Sequence, residues 1–96
     1  MSEVMKQATA RIKNSAGLHA RPAAQLVNIA KKYKNCEVFI YKAGVPETRV
    51  NGKSIMGVMM LAAECGSDLV FEATGPESEE ALAELCALVA DGFGEQ

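Results

Sequence analysis

Gly17-Leu18-His19-Ala20-Arg21-Pro22-Ala23-Ala24 decides how this chain is read. A turn-forming glycine is followed by a proline that fits the first turn of a helix, where its missing N–H costs nothing. The stretch therefore reads as a strand ending, a turn and a helix beginning. It holds the single histidine of the chain, with Arg21 two positions further on. A helix start carries unpaired backbone N–H groups and the positive end of the macrodipole, so an anion arriving there meets donors already in place.

Working outward, Ala8, Ala10 and Ile12 alternate with Thr9, Arg11 and Lys13, which predicts a half-buried strand over Met5 to Ile12. Asn14-Ser15-Ala16-Gly17 supplies the turn, with Gly17 free to take a positive φ. Ala23, Leu26, Val27, Ala30 and Tyr33 then recur at helical spacing, predicting a helix from about Ala20 to Tyr33 with His19 at or beside its N-cap. Cys36 to Tyr41 is rich in β-branched and aromatic residues, and Thr48 to Asn51 is a short extended piece. Lys42 to Glu47, with Gly44 and Pro46, reads as the hairpin loop between them.

Ser54 is a good N-cap for a short helix from Ile55 to Leu61 or Ala63. Leu69, Phe71 and Ala73 alternate with Val70, Glu72 and Thr74, predicting a fourth strand over Asp68 to Thr74. Thr74-Gly75-Pro76-Glu77 opens a last helix whose core stripe is Ala81, Leu82, Leu85, Leu88 and Val89, ending before Gly92. The order βαββαβα predicts an α+β open-faced β-sandwich, a four-stranded antiparallel sheet with three helices on one face, as a single domain over residues 1–96.

Length and composition agree with one small core: 96 residues, 49% hydrophobic and 23% charged. No apolar run approaches 18 residues, and Met1 to Ala10 lacks the basic-then-apolar pattern of a signal peptide, so a cytoplasmic protein without membrane insertion is expected. Cys36, Cys65 and Cys86 are odd in number and widely spaced, which argues against a disulfide scaffold or a metal site and for small buried apolar residues. Residues 1–53 hold all 10 Lys and Arg with only Glu3, Glu37 and Glu47, whereas residues 54–96 hold nine acids and no base. Either these are solvated faces of opposite helices, or the basic part steers anionic ligands and acidic partners toward His19. Nucleic acid is disfavoured by the acidic balance and by the lack of interleaved basic and aromatic residues.

The helix after Ser54 is apolar nearly all round, through Ile55, Met56, Val58, Met59, Met60 and Leu61. Such a helix is either core or a partner surface, and in so small a domain a surface helix covered on one side only is favoured. Gly52-Lys53-Ser54 is not a nucleotide-phosphate loop, because Glu47 stands where that motif requires glycine.

The histidine has no serine or cysteine nucleophile in triad context and no His-Glu-x-x-His cluster, which weakens hydrolase and metalloenzyme readings. One possibility is that the imidazole is itself a nucleophile, with helix N–H groups and Arg21 holding phosphoryl oxygens. The other is a surface histidine that merely caps a helix.

Gly17 to Ala23, together with Asn51-Gly52-Lys53-Ser54-Ile55-Met56-Gly57-Val58-Met59, resembles the HPr phosphocarrier family of the bacterial sugar phosphotransferase system. The likeness covers nearly the whole chain in element order and in both motifs. It implies a monomeric carrier whose His19 is phosphorylated on Nδ1 by enzyme I, itself charged from phosphoenolpyruvate, and which passes the group to IIA-type acceptors. It implies that Arg21 interacts with the phosphoryl group and that Ala20, Ala24, Ile55, Met56 and Met59 form the docking surface. It implies no cofactor and no metal. Ser54 matches the serine that an ATP-dependent HPr kinase/phosphorylase modifies in the family, and a phosphate there would add negative charge to the docking patch. Two features depart from the usual pattern: the hairpin around Gly44 to Glu47 looks long, and the run Glu72-Ala73-Thr74-Gly75-Pro76-Glu77, with the Gly92-Phe93 ending, also resembles the nitrogen-related branch. The alternative function is accordingly a regulatory module acting mainly by protein contact. His19 favours the carrier, and the starts of the two helices, at His19 and Ser54, are expected to adjoin.

Overall fold

A first strand, β1 (Lys6–Arg11), leads through the Gly17 turn into helix α1 (Ala20–Lys32). The chain continues through β2 (Glu37–Lys42), β3 (Val45–Asn51), α2 (Ile55–Met60), β4 (Asp68–Thr74) and α3 (Ser78–Ala90), then closes with a 3-10 turn over Gly92–Gly94. This computed structural model describes residues 5–95; Met1 to Val4 and Gln96, included in the expected 1–96 domain, lie outside the described residues. The four strands form one antiparallel sheet in the order β1-β4-β2-β3, with the helices on one face, as the alternating and helical periodicities predict.

The alternation places Ala8, Ala10, Val38, Ile40, Val50, Leu69, Phe71 and Ala73 toward the helices, where they meet Leu26 and Ala30 of α1, Val58 of α2, and Leu82, Leu85 and Val89 of α3. Completely buried side chains such as Phe71, Leu69 and Leu26 each contribute about 1.5–3 kcal/mol through apolar burial. β4 is interior to the sheet, so its outward-facing Glu72 is also nearly buried and is held by hydrogen bonds from Arg49 (2.8 Å) and Gln7 (2.7 Å). Burial pushes the Glu72 carboxyl up, but these donors and the Arg49 charge more than offset it and leave it below the usual carboxylate range. The end of α1 is tied to α3 through Glu84, which accepts from Lys32 Nζ and the Tyr33 hydroxyl, each at 2.5 Å.

The expected hairpin loop is not found. β3 begins at Val45, not Thr48, and only Ala43 and Gly44 lie between the strands, with Gly44 at φ +82°. Pro46 is accommodated because β3 is an edge strand, where a missing N–H need not break a ladder. A register shift between Ile40 and Lys42 is bridged by Thr48, whose hydroxyl accepts from Lys42 N (3.1 Å) and donates to Val45 O (2.7 Å). The cysteines also divide: Cys36 is buried, Cys86 is half-buried and Cys65 is exposed, contrary to the expectation that all three fill the interior. Cys65 lies in the loop after α2, its sulfur 3.6 Å from Lys13 O.

Candidate functional site

The site begins with Gly17, held at φ +72° against the loop that follows α2. A Cβ at this position would stand 2.8 Å from Ala63 O, so only glycine gives both the backbone conformation and the close approach. Leu18 N donates to that same Ala63 oxygen at 2.9 Å, and the Leu18 side chain is buried. These contacts fix the turn and leave His19 as the N-cap residue of α1, in extended conformation at φ −88° and ψ −171°. Its side chain makes no capping hydrogen bond, and the imidazole is 42% exposed.

The first turn of α1 has few open donors. Pro22 has no N–H, and Ala23 N donates to His19 O at 3.0 Å, which leaves the amides of Ala20 and Arg21 at the positive end of the helix. Arg21 is exposed on that turn. An anion beside His19 would thus meet two backbone donors, the helix dipole and a guanidinium.

The residue that sequence reading missed is Glu95. Its carboxylate oxygens lie 2.9 and 3.1 Å from His19 Nε2, across 76 positions of sequence. Asn14, nearly fully buried, steadies it: Nδ2 donates to Glu95 Oε1 at 2.9 Å and to Gly17 O at 2.8 Å. The hydrogen bond to His19 holds the Glu95 carboxyl below its ordinary range; partial desolvation opposes this, while Asn14 and the charges of His19 and Arg21 reinforce it. The signal in the sequence is Gly92-Phe93-Gly94. An aromatic residue between two glycines past a helix end marks a chain reversal with an apolar anchor, and Phe93 is indeed buried.

The residues expected to dock partners separate into two groups. Ala20 is exposed and Ala24 half-buried one turn further along α1. Ile55, Met56 and Met59 are exposed on α2, joined by Met60, which at 77% is the most exposed large hydrophobic side chain among the described residues. Ser54 caps α2, its Oγ accepting from Gly57 N at 3.1 Å.

The expectation that the two helix starts adjoin is corrected. The end of α2 near Gly17 and Leu18 is the C-terminal one, through Ala63, whereas Lys53 at its start donates to Tyr33 O (3.0 Å) and Cys36 O (2.5 Å) beyond the end of α1. The two helices run in opposite directions, so Ser54 sits at the far end of α2 from the His19 turn. Packing direction depends on how the β2–β3 hairpin delivers the chain, which helical periodicity does not encode.

The sequence pattern described as the PTS HPr component phosphorylation site matches residues 6–91. The phosphocarrier protein HPr of Cupriavidus necator is 44% identical over 91 residues, which span 95% of this chain and 98% of that protein. A multiphosphoryl transfer protein of Haemophilus influenzae is 42% identical over 84 residues, covering 88% of this chain but 17% of the longer relative. Among solved structures, HPr from Thermoanaerobacter tengcongensis superposes with a TM-score of 0.85 at 41% identity, covering 95% of this chain and 98% of that one.

Proposed function

Because the chain belongs to the HPr phosphocarrier family of the phosphotransferase system, we propose that it accepts a phosphoryl group on His19 Nδ1 from phosphorylated enzyme I and hands it to IIA-type acceptors. The observation that carries this reading is the setting of His19: a partly exposed imidazole at the N-terminus of α1, which offers two open amides and Arg21, with Nε2 already engaged by Glu95. The Nδ1 lone pair forms the N–P bond as the bond from phosphorus to the donor's leaving atom breaks. The phosphoryl group brings up to two negative charges, which the Ala20 and Arg21 amides and the Arg21 side chain meet with charge-assisted hydrogen bonds worth about 1.5–3 kcal/mol each. No cofactor or metal enters this transfer, and the carrier acts as a monomeric cosubstrate.

Donor and acceptor dock on the apolar surface of Ile55, Met56 and Met59 together with Ala20 and Ala24. Phosphorylation of Ser54 by an HPr kinase/phosphorylase reduces that docking by placing charge at the start of α2. The protein works in the cytoplasm, where enzyme I and its phosphoenolpyruvate are found.

Incubation with enzyme I and phosphoenolpyruvate tests the proposal. An acid-labile, alkali-stable phosphate should form on the parent and be absent from His19→Ala, while Arg21→Ala should still be loaded but about 10-fold or more slowly. Absence of transfer to the parent, or equal loading of His19→Ala, would defeat the carrier reading.

A further inference from the structure

Beyond the phosphoryl acceptor itself, the C-terminal segment contributes a contact that the transfer reaction can use. Gly92, Phe93 and Gly94 take three consecutive left-handed conformations, at φ +66°, +58° and +74°. For phenylalanine that conformation is strained, and it persists only where surrounding contacts over-determine it. Here burial of the Phe93 ring in the core does so. The turn is further closed by hydrogen bonds from Gly94 N to Asp91 O (3.3 Å) and from Glu95 N to Gly92 O (2.9 Å). Its result is to reverse the chain after α3 and set the Glu95 carboxylate on Nε2 of His19.

We infer that Glu95 is a positioning residue for phosphoryl transfer: it holds the ring proton on Nε2, keeps the Nδ1 lone pair free, and neutralises the positive charge the ring acquires when Nδ1 bonds phosphorus. This rests on the proposal that His19 is the acceptor. A carboxylate can only accept, so a neutral imidazole 2.9 Å from it must present N–H at Nε2, which makes Nδ1 the unprotonated nitrogen. When Nδ1 forms the N–P bond, the proton stays on Nε2 and the ring becomes a cation; Glu95 lies beside the nitrogen that carries that proton. On transfer out, the N–P bond breaks and the ring returns to the neutral Nε2–H form, so no proton has to be found or lost in either direction. The carboxylate meets Nε2 and the incoming phosphoryl group meets Nδ1, on either side of Cε1, so the two anions lie along diverging directions from the ring, which limits their repulsion. The other groups around Glu95 are consistent with an ionised carboxylate: Asn14 donates to it, Arg21 bears on it with positive charge, and Lys13 and Asp91 line the same hollow with opposite signs.

The test is ring nitrogen NMR of the unphosphorylated full-length chain with labelled histidine, measured where the ring is neutral, for the parent, Glu95→Ala and Glu95→Asp. The parent should show the proton almost wholly on Nε2. Glu95→Ala should show a mixed tautomer population with a clear Nδ1–H fraction, unchanged thermal unfolding, and loading by enzyme I slowed about 10-fold; Glu95→Asp should recover part of both signals. A Glu95→Ala ring indistinguishable from the parent overturns the inference, as does a normal loading rate in that variant. Because the tautomer is read without any donor, a parent chain that shows the Nε2–H form yet is never loaded would defeat the His19 carrier reading and leave the Glu95 contact standing as a tautomer lock.

Discussion

At the scale of single residues, Gly17 sets the position of His19 more firmly than any side chain in the turn. Alanine there would hold a left-handed backbone at a cost of about 1–2 kcal/mol, before its Cβ meets Ala63 O at 2.8 Å. Gly17→Ala is therefore expected to lower Tm by about 10 °C in calorimetry and to slow phosphoryl acceptance, since relief of the contact displaces Leu18 and His19 together. A variant with parental Tm and loading rate would show that the loop after α2 yields freely. The imidazole and Arg21 were legible in the sequence because glycine, histidine, arginine and proline each leave a local signature at a helix start. Glu95 was not, because a glutamate near a chain end carries no signal for a contact 76 positions away; only the glycine-flanked Phe93 hinted that the tail turns back.

Among the elements, α2 is short, with a single buried residue, Val58, and a side-chain cap from Ser54 at its start. Ser54→Ala removes the acceptor for Gly57 N and should cost about 1 kcal/mol in denaturant unfolding. Ser54→Asp keeps a good cap, so its stability should match the parent while loading by enzyme I slows. That combination would place the effect at the docking surface; equal loading would remove Ser54 from regulation by charge. Since Ser54 lies at the end of α2 away from the His19 turn, such an effect would act through Ile55 and Met56 and not on the imidazole directly. Element type and order could be read from periodicity, but two element-level features could not. Pro46 reads as loop until the strand order is known to put β3 at an edge, and the direction of α2 along α1 depends on the tight turn at Ala43 and Gly44.

Over the whole molecule, the charge division along the sequence becomes pairing in space. Lys6 with Glu79, Arg11 with Asp68, Lys32 with Glu84 and Arg49 with Glu72 each join a base from the first 53 residues to an acid from the rest, as does His19 with Glu95. Neither steering alone nor two independent solvated faces describes that arrangement. Hydrogen bonds and charge from these partners hold the Asp68, Glu72, Glu79 and Glu84 carboxyls below their ordinary range. Their contribution is complete above the unfolded-state values near about pH 4 and is lost as pH falls through the lower folded-state values. On the alkaline side, the hydrogen bond from Tyr33 to Glu84, with burial and nearby acids, pushes the phenol from 10.0 up to about 12, a contribution present below pH 10.0 and lost as pH rises toward 12. Urea midpoints should thus be flat from about pH 5 to 9 and fall on both sides, with Glu72→Gln shrinking the acid limb and Tyr33→Phe the alkaline one. A parent curve without either limb would contradict these assignments. The strand order also has a consequence for synthesis. β4 lies between β1 and β2 but is made after both, so a chain leaving the ribosome carries two strands with an empty place between them until Asp68 to Thr74 has emerged. The sheet closes only once β4 has emerged, and until then the nascent chain presents open strand edges for chaperones to shield.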